Sequence, residues 1–180
     1  MQNLLVLTLN NNQIERVSAF EAKNINYLHL KANRLKRIPV TSSSVQYLNL
    51  NDNQIDVDPD KNLLTYDRLK RVDMKNNSLH YLPFLPSTLI EGYFNMNKIK
   101  FLTREVLNGA PYLKNLYLND NQIYQIDFAE AIYLSKLEKL GLSNNPYMEL
   151  EPVIKKWCEI EQSKSDICRK AKSITIRTCI

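Results

Sequence analysis

The stretch LKNLYLNDNQI, residues 113–123, decides the fold because the chain repeats it. VQYLNLNDNQI, residues 45–55, has the same last five residues, and NNNQI closes a third copy at Ile14. Self-similarity at a period of 20 to 24 residues is the signature of a solenoid built from stacked coils. Alternating apolar positions followed by an asparagine recur in seven segments: 4–14, 25–35, 45–55, 69–79, 89–99, 113–123 and 137–147.

Each repeat predicts one short strand. Leu116 and Leu118 alternate with Asn115, Tyr117 and Asn119, which is the period of a strand with one buried face. A single coil cannot bury its few apolar side chains alone, so neighbouring coils must stack and align their strands in a parallel, concave sheet. The connecting segments then form the convex side, and the longer ones have room for a helical turn.

The asparagine shared by the repeats is predicted to hold the turn after each strand. The chain leaves the sheet there, and its backbone groups would be costly to bury without hydrogen-bond partners. Asparagine carries both an amide donor and a carbonyl acceptor, so asparagines stacked from coil to coil can satisfy these groups. The predicted ladder consists of Asn12, Asn33, Asn53, Asn77, Asn97, Asn121 and Asn145.

The fifth repeat departs from the pattern, because Gly92 stands at a core leucine position. One interpretation is that a neighbouring side chain, such as Phe94 or a tyrosine, fills the space. The other is a close approach of the backbone to a ligand. We expect the first.

The recurring motif resembles that of the leucine-rich repeat superfamily over residues 1–147. The resemblance implies an α/β fold: a curved right-handed solenoid with a parallel concave β-sheet and a C-terminal cap with a helix, residues 148–180. NNPY at 144–147 and IKKWC at 154–158 are similar to the cysteine-containing caps of extracellular animal members, although no cysteine follows Tyr147. Mixed short and long coils resemble small leucine-rich proteoglycans and insect leucine-rich immune proteins, which are secreted binding proteins.

The three cysteines, Cys158, Cys168 and Cys179, all fall in the predicted cap. An odd number leaves at least one unpaired. We expect a disulfide between Cys179 and either Cys168 or Cys158; the alternative is three reduced thiols in a cytosolic protein. A metal site is not expected, because neither His29 nor His80 lies near them in sequence and no CxxC occurs.

Function in a solenoid is expected on the strand residues that face away from the core. Tyrosine supplies a large contact area at low entropy cost and, with arginine, dominates interface hot spots. Several of the ten tyrosines fall in neighbouring outward-facing columns of the predicted sheet. The predicted partner-binding residues are Tyr27, His29, Tyr47, Asn49, Arg71, Asp73, Glu91, Tyr93, Asn115 and Tyr117.

Other function classes find little support in the sequence. Only three glycines are present and neither a GxGxxG nor a P-loop motif occurs, so no cofactor is expected. Asp73 and Glu91 stand beside Arg71, which favours an ion-pair cluster over an acid–base pair and therefore no enzyme. Acidic residues interrupt any basic stripe despite a net charge of +5, which argues against nucleic acid. No apolar run is long enough for a membrane span.

We therefore predict a non-catalytic module that binds another protein on the concave sheet. The resemblance to secreted proteins implies an extracellular location, and the resemblance to insect immune proteins implies a role in innate immunity. The alternatives are a matrix or proteoglycan-like scaffold and an intracellular scaffold or regulatory subunit. The first repeat begins at Leu4 with an open strand edge, so a longer chain or a homodimer is expected. The sequon Asn76-Asn77-Ser78 predicts a glycan on Asn76.

Overall fold

The computed structural model describes residues 4–18, 24–41, 43–56, 62–126 and 137–146. Three-residue strands follow one another at the repeat period: β1 Val6–Thr8, β2 Tyr27–His29, β3 Tyr47–Asn49, β4 Arg71–Asp73, β5 Glu91–Tyr93, β7 Asn115–Tyr117 and β9 Lys139–Gly141. They form one parallel sheet in the order β1-β2-β3-β4-β5-β7-β9. The predicted fold class, a leucine-rich-repeat type of solenoid with a parallel sheet, is confirmed.

The segments that return from one strand to the next carry the remaining elements. β6, Phe101–Leu102, and β8, Gln125–Ile126, pair in parallel as a second, two-stranded sheet. A 3-10 helix covers Asn62–Thr65 and the helix α1 covers Arg104–Asn108. Both helices lie in coils in which 24 residues separate successive ladder asparagines, so the longer coils do contain helical turns. The predicted cap over 148–180, its helix and its cysteines lie outside the described residues.

Alternation along each strand separates the core from the surface. The central residue of every strand in the seven-stranded sheet is buried from β2 onward, whereas the first residue is exposed or half-buried. The strands pair without a register shift, so Leu28, Leu48 and Val72 stack in one column. The leucine, isoleucine and valine residues of the returning segments close the core from the other side.

Each ladder asparagine that follows β2 or a later strand of the sheet joins two coils through both ends of its amide. Asn97 Nδ2 donates to the carbonyl oxygen of Phe94 at 3.0 Å and, in the preceding coil, to that of Met74 at 3.0 Å. Asn97 Oδ1 accepts a hydrogen bond from the backbone N–H of Leu79 at 3.1 Å. The same pattern recurs at Asn33, Asn53, Asn77, Asn121 and Asn145. Asn12 is exposed, and its Nδ2 donates within its own coil to Leu9 and Asn10.

Each residue of the repeated triplet Asn-Asp-Asn has a hydrogen-bond partner in an adjacent coil. In residues 51–53, Asn51 Oδ1 accepts from the backbone N–H of Lys75 at 2.7 Å. Asp52 Oδ1 accepts from Asn76 Nδ2 at 2.9 Å. Asn53 Nδ2 donates to Leu30 of the preceding coil at 3.0 Å. The triplet recurs because the same inter-coil turn is built each time.

The residue before each ladder asparagine adopts a left-handed backbone conformation, with φ between 54° and 58°. Asparagine and aspartate tolerate this region better than other residues that carry a Cβ. Five of the seven positions hold one of these two residues, while Ala32 and Met96 do not. The positions are Asn11, Ala32, Asp52, Asn76, Met96, Asp120 and Asn144.

The Phe94 ring occupies the space that a leucine side chain would fill at Gly92. A Cβ built on Gly92 would lie 2.7 Å from Phe94 Cε2 and 3.5 Å from Leu116 Cδ1. Phe94 itself is fully buried. The expectation that a neighbouring side chain fills the hole is confirmed, so Gly92 makes room for the Phe94 ring in the core.

Substitution of a ladder asparagine should cost more stability than substitution of its exposed neighbour. Asn97→Ala removes the partners of the Leu79 N–H and of two carbonyl groups, which should lower the free energy of unfolding by about 1–3 kcal/mol. Lys98→Ala in the same turn should change it by less than about 0.5 kcal/mol. Urea midpoints of the two variants measure the difference, and equal midpoints would contradict the role assigned to the ladder.

Gly92 and Phe94 should be energetically coupled because they share one space. Gly92→Leu alone overpacks the core and should cost about 1–3 kcal/mol, while Phe94→Leu alone leaves a cavity. The double variant recreates the leucine pair found at Leu48 and Leu50, so its loss should be smaller than the sum of the single losses by about 1 kcal/mol or more. Strict additivity in a double-mutant cycle would show that the two positions pack independently.

Candidate functional site

The strand register places all ten predicted partner-binding residues on one face of the sheet. Tyr27 pairs with Tyr47, Tyr47 with Arg71, Arg71 with Glu91 and Glu91 with Asn115, which forms the first outward-facing column. The second column, two residues further along each strand, is His29, Asn49, Asp73, Tyr93 and Tyr117. The columns stay aligned because the ladder fixes each coil at the same height against the next.

Aromatic rings occupy the first part of this face. Tyr27 and Tyr47 meet edge to face with ring centroids 6.2 Å apart. His29 approaches Tyr47 in the same manner at 5.2 Å. Asn49 Nδ2 donates to the Tyr47 hydroxyl at 3.4 Å. Tyr47 is therefore in contact with both columns.

Arg71 connects these rings to a second aromatic pair. Its guanidinium carbon lies 5.3 Å from the centroid of the Tyr47 ring and 4.5 Å from that of Tyr93, both within cation–π range. Tyr93 in turn stacks on Tyr117, with centroids 4.8 Å apart and ring planes at 12°. We refer to the continuous row of Tyr27, His29, Tyr47, Arg71, Tyr93 and Tyr117 as the Tyr–Arg track.

Two carboxylates hold the guanidinium in place. Asp73, only 5% exposed, accepts from Arg71 Nε at 3.0 Å and from Arg71 Nη2 at 3.2 Å. Its Oδ2 also accepts from the Tyr47 hydroxyl at 2.6 Å. Glu91 Oε2 lies 3.4 Å from Arg71 Nη1 and accepts from the Tyr93 hydroxyl at 3.2 Å. Glu91 Oε1 accepts from Asn115 Nδ2 at 3.4 Å. The residues form the ion-pair cluster predicted from the sequence.

The electrostatics of the cluster hold its phenols neutral and its guanidinium charged. Burial, assisted by the hydrogen bond to Asp73, raises the pKa of Tyr47 to about 12. Burial also raises the pKa of Tyr93, with the Glu91 carboxylate adding to the shift against the opposing Arg71 charge. Hydrogen bonds to Asp73 raise the pKa of Arg71. None of these shifts moves a group toward neutral pH, where a general acid or base must titrate.

The surface above the cluster is an open depression of about 320 Å³. Arg71, Asp73, Tyr93 and Tyr117 line it together with three residues that follow the strands, Asn51, Lys75 and Asn95. Within the described part of the chain, no cluster of three or more histidine, cysteine or acidic side chains could hold a metal ion. An open, aromatic-rich surface of this shape can cover a protruding segment of another macromolecule.

The sequence prediction did not include these three residues. Lys75 is exposed, and Asn95 Nδ2 donates to Asn119 Oδ1 at 3.3 Å. The available signal was their shared position, two residues beyond the second column of each strand. That signal does not by itself separate a side chain that contacts a ligand from one that caps the strand end.

Asn76, the predicted glycan acceptor, is exposed in the turn that follows β4. It lies next to Lys75 at the rim of the depression, in the left-handed turn that precedes Asn77. Its Nδ2 donates to Asp52. Glycosylation at this position remains a prediction.

Comparison with known proteins finds several relatives. No family model matches the chain. Fibromodulin from Mus musculus is 29% identical over 159 residues, covering 81% of this chain and 41% of fibromodulin. Keratocan from Bos taurus is 26% identical over 156 residues, covering 81% of this chain and 44% of keratocan. The chain thus spans less than half the length of these relatives.

A solved structure agrees with the fold. One leucine-rich repeat protein of Leptospira interrogans superposes with a TM-score of 0.66 at 29% sequence identity, over 79% of this chain and 38% of that one. In the part of this chain that the structure describes, no helix is long and apolar enough to cross a membrane.

The two carboxylates of the cluster should contribute unequally to stability. Asp73→Ala removes a buried acceptor shared by Arg71 and Tyr47 and should cost about 1–3 kcal/mol. Glu91→Ala removes a half-exposed partner and should cost less than about 1 kcal/mol. Chemical denaturation of both variants tests this order.

Titration of Tyr47 supplies a second test of the same contact. Asp73→Ala should lower the pKa of Tyr47 from about 12 toward the ordinary tyrosine value, because a hydrogen bond and a nearby negative charge are lost. An NMR titration of the tyrosine ring resonances measures the shift. A Tyr47 pKa unchanged by the substitution would remove Asp73 from the account.

Proposed function

We propose that this chain, a member of the leucine-rich repeat superfamily, is a non-catalytic module that binds another protein on its concave sheet. The outward-facing strand residues of each coil do not pack in the core, so these residues can change without loss of the fold. The observation that carries the proposal is the Tyr–Arg track, an unbroken row of aromatic and guanidinium groups on the open sheet.

The track has the composition of a binding hot spot. Tyrosine and arginine are enriched among interface residues whose truncation is costly, and such residues lie near the interface centre. Arg71 is held rigidly by Asp73 and by two tyrosine rings, so little side-chain entropy remains to be lost when a partner covers it. Parallel strands lie about 4.8 Å apart, so the track from β2 to β7 spans roughly 20 Å. A loop or helix of another protein fits across that distance.

We expect the charges on this face to orient the partner. At the centre, the Arg71 guanidinium is paired with the Asp73 and Glu91 carboxylates, which leaves one net negative charge held within the cluster, whereas Lys75 at the rim has no ionic partner among the described residues. A partner with aromatic or apolar groups at its centre and carboxylates toward the rim of the depression would match this distribution. Rim charges of this kind act more on the association rate than on affinity.

We assign the protein to the outside of the cell. Support comes from the resemblance to secreted small leucine-rich proteoglycans, the group that contains fibromodulin and keratocan. Recognition in innate immunity is the narrower form of the proposal, and it rests on the resemblance to insect leucine-rich immune proteins. The match to fibromodulin and keratocan favours a second candidate function, a binding scaffold of the extracellular matrix. An intracellular scaffold is the remaining alternative.

Matched tyrosine variants test the concave surface. Tyr93→Ala and Tyr117→Ala should each weaken partner binding by about 30-fold, the equivalent of an aromatic anchor of about 2 kcal/mol. Tyr81→Ala removes a tyrosine that is more exposed than either of these and lies outside the sheet, and it should leave binding unchanged. Quantitative affinity capture from extracellular fluid with the wild type and all three variants as baits identifies the partner, and surface plasmon resonance then gives each Kd.

The same experiment distinguishes the candidates. A captured protein whose binding is lost in the Tyr93→Ala and Tyr117→Ala baits supports the concave site, and its identity separates an immune from a matrix role. Loss in the Tyr81→Ala bait alone would move the site to another face. Circular dichroism melting curves that match the wild type ensure that reduced binding does not reflect unfolding.

A further inference from the structure

A step in coil length creates a groove on the side of the solenoid where the strands begin. The coil from Asn77 to Asn97 has 20 residues, whereas the coils before and after it have 24. Each long neighbour contains a helical element, Asn62–Thr65 or α1, while the described short coil contains none. The short coil is therefore recessed between two longer ones.

The short coil provides the floor of the groove and the longer coils provide its walls. Thr88 and Ile90 form the floor, and Pro111 and Tyr112 form one wall. Lys70 stands on the opposite side. The groove has a volume of about 490 Å³ and its lining is almost entirely apolar. Tyr112 is 71% exposed, which is more than any other large hydrophobic side chain among the described residues.

Backbone groups along this edge are already paired. The Ile90 N–H donates to the Lys70 carbonyl oxygen at 2.8 Å, and the Lys114 N–H donates to the Ile90 carbonyl oxygen at 2.9 Å. A ligand therefore cannot add as a further strand at this point, and recognition must come from side chains. The floor selects an apolar group, because a polar one would lose its water without gaining a partner.

Lysines stand on both sides of this apolar floor. Lys70, Ile90 and Lys114 directly precede β4, β5 and β7, so the two lysines are two strand spacings, roughly 10 Å, apart. Lys70 has no acidic partner among the described residues. Lys114 Nζ contacts Glu138 Oε1 at 2.8 Å, but both side chains are more than half exposed, so a ligand carboxylate can replace this partner at little cost. Among the residues that the structure describes, no acidic side chain lines the groove.

We propose that this groove is a second docking site, for a peptide segment of a partner protein in which apolar residues are flanked by carboxylates. The apolar residues cover Ile90 and pack against Tyr112, and the carboxylates reach Lys70 and Lys114. Charge complementarity identifies the occupant: the walls supply two cations, and the one polar side chain of the floor, Thr88, already donates its hydroxyl to the Leu69 carbonyl oxygen at 2.8 Å. A sulfated polysaccharide fits less well, because its polar rings would lie on an apolar floor.

Selection from a random 12-residue peptide library displayed on phage tests the proposal directly. The full chain is the target, and the Tyr112→Ala variant serves for counter-selection; the substitution removes a largely exposed side chain, and its melting curve checks the fold. Recovered peptides should carry leucine-like residues flanked by aspartate or glutamate. Synthetic versions labelled with fluorescein should lose at least about tenfold in affinity on Tyr112→Ala.

Charge and position controls complete the design. Lys70→Glu should weaken binding several-fold and flatten its salt dependence, because a long-range attraction becomes a repulsion. Lys100→Glu, an exposed lysine outside the groove, should do neither. Tyr81→Ala should bind like the wild type. Tyr117→Ala should also leave peptide binding intact, so failure of this site and failure of the concave site are distinguishable.

Three results would overturn the proposal. One is a selection that enriches no peptide, or peptides that bind the wild type and the Tyr112→Ala variant equally. Another is a heparin hexasaccharide that binds the wild type, depends on Lys70 and ignores Tyr112, which would identify a polyanion site. The third is a dimer in analytical ultracentrifugation that Tyr112→Ala dissociates, which would assign the groove to a second copy of this chain.

Discussion

Every coil of this protein must turn away from the sheet after three residues, and the turn must satisfy backbone groups that no strand can pair. The buried asparagines solve this problem by bonding carbonyl groups in two coils and accepting one N–H, as Asn97 does. Each therefore performs local capping and inter-coil attachment at once. Stacking buries the apolar face that a single coil could not, so the sheet, the core and the alignment of surface columns all depend on these amides.

The binding surfaces follow from the same constraint. Because the ladder fixes the register, side chains at equivalent positions meet across strands, and Arg71 comes to lie between Tyr47 and Tyr93. The concave face can then vary without disturbing the core beneath it. Coils also differ in length, because the turn is the same in each coil while the number of residues in the returning segment varies. The groove beside Tyr112 lies where a short coil stands between two longer ones.

Much of this arrangement can be predicted from the sequence, for definite physical reasons. Period-two alternation places Tyr93 and Tyr117 on the open face, and a repeated asparagine fixes the register that makes them neighbours. Ring orientation, such as the 12° stacking of that pair, depends on rotamers that a sequence pattern does not specify. The β6–β8 pairing was missed because two-residue strands give no periodic signal. The groove could not be predicted from the sequence, because it depends on the depth of each coil as well as on its length.

Hydrogen exchange of the ladder-bonded amides tests the central claim most directly. The N–H groups of Leu79 and Ile99 lie outside the strands and donate to the side-chain oxygens of Asn97 and Asn121. NMR should find them exchanging as slowly as amides within the sheet, and Asn97→Ala should abolish protection at Leu79 first while Ile99 remains slow. Fast exchange of both amides in the wild type, at the rate of exposed turns, would contradict the account.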